Sequence, residues 1–144
     1  GTFAEYYESG QLAQKGYYKN GLGQGEYNWY YEEGSIKQKA FYKDDKIEGI
    51  VISFYPDGKI AQTVNYINGK REGDSIEYYP NGNIKEKISF VDDKMNGEAI
   101  KYYENGVVKE KAYFINDKQE KENFFYDEKG KLIKTEIYKN DVKQ

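Results

Sequence analysis

Gly10, Gly34, Gly58, Gly82, Gly106 and Gly130 stand 24 residues apart along a chain of 144 residues. Two more registers keep the same step. One runs Leu12, Ile36, Ile60, Ile84, Val108 and Leu132; the other runs Tyr18, Tyr42, Tyr66, Phe90, Phe114 and Tyr138. A short unit carried in tandem buries its apolar surface only against its neighbours, so a quasi-one-dimensional fold is expected. The repeat takes up essentially the whole chain, which predicts a single repeat domain over residues 1–144 with no linker.

Each unit contains two turns. The first reads Glu-Ser-Gly, Glu-Glu-Gly, Pro-Asp-Gly, Pro-Asn-Gly and Glu-Asn-Gly in successive copies. That is the chemistry of a three-residue hairpin loop, a type I turn followed by a left-handed glycine. The second reads Lys-Asn-Gly, Lys-Asp-Asp, Ile-Asn-Gly, Val-Asp-Asp, Ile-Asn-Asp and Lys-Asn-Asp. Asn and Asp tolerate the left-handed region best among residues with a side chain, so the second turn is expected to match the first.

With three-residue turns throughout, Tyr30 should pair with Ile36, Phe54 with Ile60, Tyr78 with Ile84 and Tyr102 with Val108. Across the second turn, Ile36 should pair with Ile52, Ile60 with Ile76, Ile84 with Ile100 and Val108 with Phe124. All of these are apolar and even-numbered, and a one-residue slip would move half of them to the other face. The odd-numbered face then carries Tyr7, Trp29, Tyr31, Tyr55, Tyr79 and Tyr103. It also carries the lysine pairs Lys37 and Lys39, Lys85 and Lys87, Lys109 and Lys111. An apolar period of two, punctuated by Gly and Asn, excludes helices. The expected fold is all-β: an elongated, twisted, single-layer antiparallel meander of about twelve strands, roughly 55–60 Å long at about 4.8 Å per strand.

The unit of aromatic pair, x-Asn-Gly, aliphatic, charged residues, aromatic and Asn-Gly-Lys resembles the MORN repeat in its bacterial variant. The stretches that carry the likeness are "YKNGLGQGEYNWYYEEG" (18–34), "YINGKREGDSIEYYPNG" (66–82) and "FVDDKMNGEAIKYYENG" (90–106). The resemblance implies a twisted sheet of hairpins serving as a scaffold for proteins or lipid surfaces. Many bacterial members are labelled antitoxin-like immunity proteins; a lipid-kinase label also circulates in the family, and nothing in these residues supports a kinase. The pattern fades at the end: Lys121 stands where Gly25, Gly49, Gly73 and Gly97 lead, and Asp127 replaces the second tyrosine, so the sixth repeat is expected to be a cap.

Composition narrows the chemistry. Hydrophobic residues make up 38% and charged ones 33%, too lean for a large core, while 17 Tyr and 7 Phe are too many for a disordered chain. A net charge of −3 argues against nucleic acid as a partner. With no His and no Cys, the usual nucleophile–base pairs and most transition-metal sites are missing, so neither catalysis nor a cofactor is expected. Ser9, Ser35, Ser53, Ser75 and Ser89 read as surface serines, and the Asp44–Asp45 and Asp92–Asp93 pairs as turn residues rather than calcium ligands. "GLGQGEY" (21–27) lacks the strand-to-helix setting of a phosphate loop.

The aromatic stripe is the leading site candidate. Its tyrosines recur every second strand, roughly 9.6 Å apart. They serve either as a ladder covering their own sheet or as a surface for a partner, with the flanking lysines as a basic stripe. The function expected is a non-enzymatic scaffold binding a protein partner or a second copy. The alternatives are a carbohydrate-binding surface module, for which "NWYYEEGSIKQ" is similar to known aromatic hairpins, and contact with anionic lipid. A start at Gly1 reads as a trimmed or processed chain, and a bacterial envelope or secreted setting is favoured over the cytoplasm.

Overall fold

The computed structural model describes residues 1–144 and contains strands and turns but no helix. Contacts gather in two compact units, Gly1–Lys70 and Arg71–Gln144. The first holds β1 (Thr2–Tyr6), β2 (Leu12–Lys19), β3 (Leu22–Tyr30), β4 (Ile36–Lys43), β5 (Lys46–Ile47), β6 (Gly49–Phe54) and β7 (Ile60–Ile67). The second is built from β8 (Lys70–Tyr78), β9 (Ile84–Val91), β10 (Lys94–Tyr102), β11 (Val108–Ile115), β12 (Lys118–Tyr126), β13 (Leu132–Lys139) and β14 (Val142–Lys143). Within each unit neighbours in sequence pair antiparallel, except that β5 and β6 both pair with β4, giving an open meander as expected. The count rises from about twelve to 14 because β5 and β14 are two-residue pieces.

The first turn is as predicted. In its second copy the Gly34 amide donates to the Tyr31 carbonyl at 2.9 Å, the Tyr31 amide donates to Ser35, and Gly34 has φ +100°. Tyr30 pairs with Ile36, Phe54 with Ile60, Tyr78 with Ile84 and Tyr102 with Val108.

The second turn is different. Val91 pairs with Lys94 across only Asp92 and Asp93, whose φ values are +50° and +69°. This is a two-residue type I′ loop, which needs both central residues left-handed and follows the twist of the strands. Three of the four expected pairs across it do not form: Ile52 faces Lys39, Ile100 faces Lys87 and Phe124 faces Lys111. Two irregularities reconcile this register with the pattern of faces. One residue is added beside each first turn, where Tyr30 pairs with Ile36 but Trp29 with Gln38. Farther along, Met95 pairs with Phe90 but Ala99 with Ile88, so that three residues of β10 oppose Ser89 alone. Bulges of this kind bend and twist the strand that carries them.

The second bulge accounts for the repeat's other glycine. Gly25, Gly49, Gly73 and Gly97 are all left-handed, and each lies opposite an aromatic ring: Tyr42, Tyr66, Phe90 and Phe114. Lys121 holds the same conformation at φ +66° opposite Tyr138. Pairing an aromatic with a glycine lets the ring cover a backbone that has no side chain to cover it.

Directly paired residues share a face of a sheet. One face therefore carries Tyr27, Ala40, Val51 and Val64 in the first unit and Ser75, Ile88, Ala99 and Ala112 in the second. The few buried apolar residues lie here: Ala40, Val51, Phe90 and Ala112, with no large side chain fully buried. In the first unit Tyr27 packs against Phe3 at 5.4 Å and Tyr42 at 4.5 Å between ring centres, above Gly16, which has no space for a Cβ. Burial and the nearby Asp45 carboxylate raise the Tyr27 hydroxyl above its usual range. The opposite face bears Lys39 beside Ile52 and leaves Phe41 and Ile50 exposed.

Candidate functional site

The second tyrosine of each pair points away from the first. Tyr78 faces Ile84, whereas the Tyr79 ring lies under the ammonium of Lys85 at 5.9 Å. Its hydroxyl donates to the Tyr102 carbonyl at 2.7 Å, across a whole repeat. Tyr7 donates in the same way to Tyr30, Tyr31 to Phe54 and Tyr103 to Tyr126. Each of these four phenols is half-buried. The file of tyrosines is thus a set of struts between hairpins, its polar tips bonded to backbone. Tyr55 holds the equivalent place in its own turn, and Trp29 lies on the same face, 6.1 Å from Tyr27.

The expected basic stripe splits in two. Lys37, Lys85 and Lys109 stand over Tyr31, Tyr79 and Tyr103 at 5.6–5.9 Å. Lys39, Lys87 and Lys111 turn to the other face, where Lys87 meets Asp74 at 3.4 Å and Lys111 meets Glu98 at 3.6 Å. The cause is the extra residue beside the first turn: lysines two apart in sequence straddle it and lose their common side.

In the second unit a cleft of about 360 Å³ opens beside Tyr79, lined by Glu77, Lys85, Glu86, Lys101 and Lys109. Lys85 is paired with Glu77 at 3.3 Å and Lys101 with Glu110 at 3.6 Å. Sequence reasoning missed Glu77, Glu86 and Lys101: the first and last share the odd numbering of Tyr79, and only the even-numbered Glu86 owes its side to the bulge beside the turn. The cleft has charges of both signs and ring surface, and no nucleophile with a partnered base.

A second polar ladder runs along the other hairpin ends. The Asp117 amide donates to the Met95 carbonyl and its carboxylate accepts the Met95 amide at 2.7 Å. Asp93 does the same for Arg71, adding a 2.6 Å bond from the guanidinium. The second aspartate of each such turn, Asp45, Asp93, Asp117 or Asp141, accepts a backbone amide, while Asp44 accepts from the Gln24 side chain. At the sixth repeat Asp127 accepts the amides of Lys129 and Lys131 and closes its own turn, ending the tyrosine file. Nearby, Glu136 is buried among Lys134, Lys143 and Tyr138, which together hold its carboxyl down to about 2. In earlier repeats this position is Ala40, Val64, Ile88 or Ala112, so the change of residue type was a readable sign of a polar end.

Hairpins tied at both ends by ladders, with no catalytic constellation between them, define a tandem β-hairpin repeat protein. The family model described as MORN repeat variant matches six times, at residues 1–20, 24–44, 47–68, 71–92, 95–116 and 119–140, and the chain belongs to that family. Repeats of this family are generally non-catalytic interaction scaffolds. No curated protein matches the chain in sequence.

Proposed function

We propose that the chain is a non-enzymatic scaffold whose exposed apolar face receives a protein partner. The observation that carries this is Phe41 at 51% and Ile50 at 59% exposure, on the face where Lys39 opposes Ile52. By strand alternation Phe41 and Ile50 lie one row from that pair. Large aliphatic and aromatic side chains left uncovered together on a folded surface mark an interaction site. The surrounding lysine and glutamate residues supply the polar rim that such interfaces have.

The opposite face fits a structural role better. Its small residues are already covered, and its tyrosine hydroxyls are committed to main-chain carbonyls. An antitoxin-like partnership is one form that a protein-binding scaffold takes, and a toxin would be one such partner.

The test is site-specific photo-crosslinking in the source cell from position 41, with position 31 on the tyrosine file as comparison. A discrete adduct from position 41 that disappears in a Phe41→Ser, Ile50→Ser variant supports this reading. Adducts only from position 31, or a partner retained by the double variant, would move the interface to the other face. Both residues are exposed, so the double variant is expected to fold normally.

A further inference from the structure

Two alanines meet on one face of the second unit. Ala99 occupies the repeat position of Tyr27, Val51, Ser75 and Asn123, and Ala112 that of Ala40, Val64, Ile88 and Glu136. The two are direct cross-strand partners. The other direct pairs of this row, from Phe3 and Gly16 to Asn123 and Glu136, each include a larger side chain. The volume left out appears as a hollow of about 300 Å³, at the lower end of the range for small-molecule sites. Ala112 is buried at its base, and the half-buried Ile88, Met95, Ala99 and Phe114 give it apolar walls.

The rim of the hollow is charged, and its charges do not balance. Lys101 stands between two carboxylates there, paired with Glu86 on one neighbouring strand and with Glu110 on the other. Its ammonium lies 3.6 Å from Glu110, whose second oxygen accepts from the Asn123 amide at 2.9 Å. The Glu86 side chain is half-buried and has no hydrogen bond or ion pair, and its partner on the far side is Glu77. Like charges directly opposite each other destabilise a strand pair, and Lys85 meets Glu77 alone, at 3.3 Å. Three carboxylates, Glu77, Glu86 and Glu110, thus share two ammonium groups. The equivalents of Glu86 in the first three repeats are Gln14, Gln38 and Gln62, so the fold itself has no need of a carboxylate at this position.

We infer that the hollow binds an organic cation, an ammonium group carried on an apolar stem of a few carbons. The stem lies against Ile88, Met95 and Ala99, where removing apolar surface from water favours it. The ammonium donates to Glu86 in a charge-assisted hydrogen bond, while Glu110 keeps Lys101. An anion would meet the excess of carboxylates, and a neutral apolar molecule would desolvate Glu86 without replacing what it loses. The hollow belongs to the second unit and the Phe41–Ile50 surface to the first, so the scaffold reading does not depend on it.

The test is titration of the isotope-labelled chain with n-pentylammonium, following amide and methyl shifts, with n-pentanol and ammonium chloride as controls. Saturable shifts around Glu86, Ile88, Ala99 and Ala112 are expected for the amine, and much weaker ones for either control. Glu86→Gln restores the residue of the first three repeats. It should lower affinity about tenfold or more and leave Tm unchanged or higher. Ala99→Val places the residue of the third copy in the hollow and should also weaken binding. Nα-acetyl-lysine N-methylamide separates two sources of such a cation: affinity comparable to that of the amine assigns a lysine side chain, and weaker or absent binding assigns a free small amine. Shifts that fail to saturate, an equal response to either control, shifts centred elsewhere, or undiminished binding by Glu86→Gln or Ala99→Val would overturn the proposal.

Discussion

The Tyr79 hydroxyl donates to the Tyr102 carbonyl at 2.7 Å, 23 residues along the chain. The bond ties one hairpin to the next at the end where the strands turn. Replacing Tyr79 with Phe removes the donor and keeps the ring, so a loss of about 1 kcal/mol is expected. Tyr79→Ala also removes the ring from beneath Lys85 and should cost about 2–4 kcal/mol. Urea unfolding of the two variants measures both. If Tyr79→Phe is neutral, the hydroxyl is not a strut and the file regains interest as a binding surface.

The type I′ turns yield a second prediction. Asp117 is left-handed at φ +69°, and its carboxylate accepts the Met95 amide. Asp117→Ala loses that acceptor and keeps the backbone strain, for an expected cost of about 1–3 kcal/mol. Asp117→Gly loses the acceptor and relieves the strain, so it should be clearly milder, as the Asn68–Gly69 turn indicates. Equal losses in the two variants would mean that the turn conformation contributes nothing.

Much of this fold was legible because turn chemistry is local. Glycine after a polar pair fixes a three-residue loop, and Tyr30 meets Ile36 just as parity requires. The second turn was not legible, since Asn-Asp fits one left-handed residue or two equally well. Counting even and odd positions then carried the error across the strand. It was concealed by bulges at Ile36–Gln38 and around Gly97, which change parity without leaving an apolar signature. The consequence for the site was specific: Lys37 was placed correctly beside Tyr31, while Lys39 was not.

The bulge glycines give a third prediction. Gly97 has φ +113°, and a Cβ there would come within 3.3 Å of Ser89 Cβ. Gly97→Ala should therefore cost about 1–2 kcal/mol from the left-handed backbone, with crowding added. At the corresponding site of the next repeat, Lys121 already bears that strain, and its ammonium lies 3.7 Å from the Tyr113 ring centre. Lys121→Gly should be neutral or stabilise by less than about 1 kcal/mol, since relieved strain exceeds the cation–π contact by a little. Thermal melts of the two variants should shift in opposite directions or leave only Gly97→Ala lowered; a destabilised Lys121→Gly would show that the contact outweighs the backbone.

Glu136 sets the pH behaviour of the last repeat. Hydrogen bonds from Lys134, Lys143 and Tyr138 lower its carboxyl from 4.5 to about 2. A carboxylate with a depressed native pKa binds fewer protons in the folded than in the unfolded chain. Its contribution to stability is complete above the unfolded value near 4.5, and is lost as pH falls through about 2. Glu136→Gln should therefore lower Tm at neutral pH and converge with the parent protein near pH 2. Carbon-detected titration of the Glu136 carboxyl gives the midpoint directly. A midpoint at the ordinary value near 4.5, with parallel melting curves for parent and variant down to acid pH, would show that the three donors do not hold this carboxylate in solution.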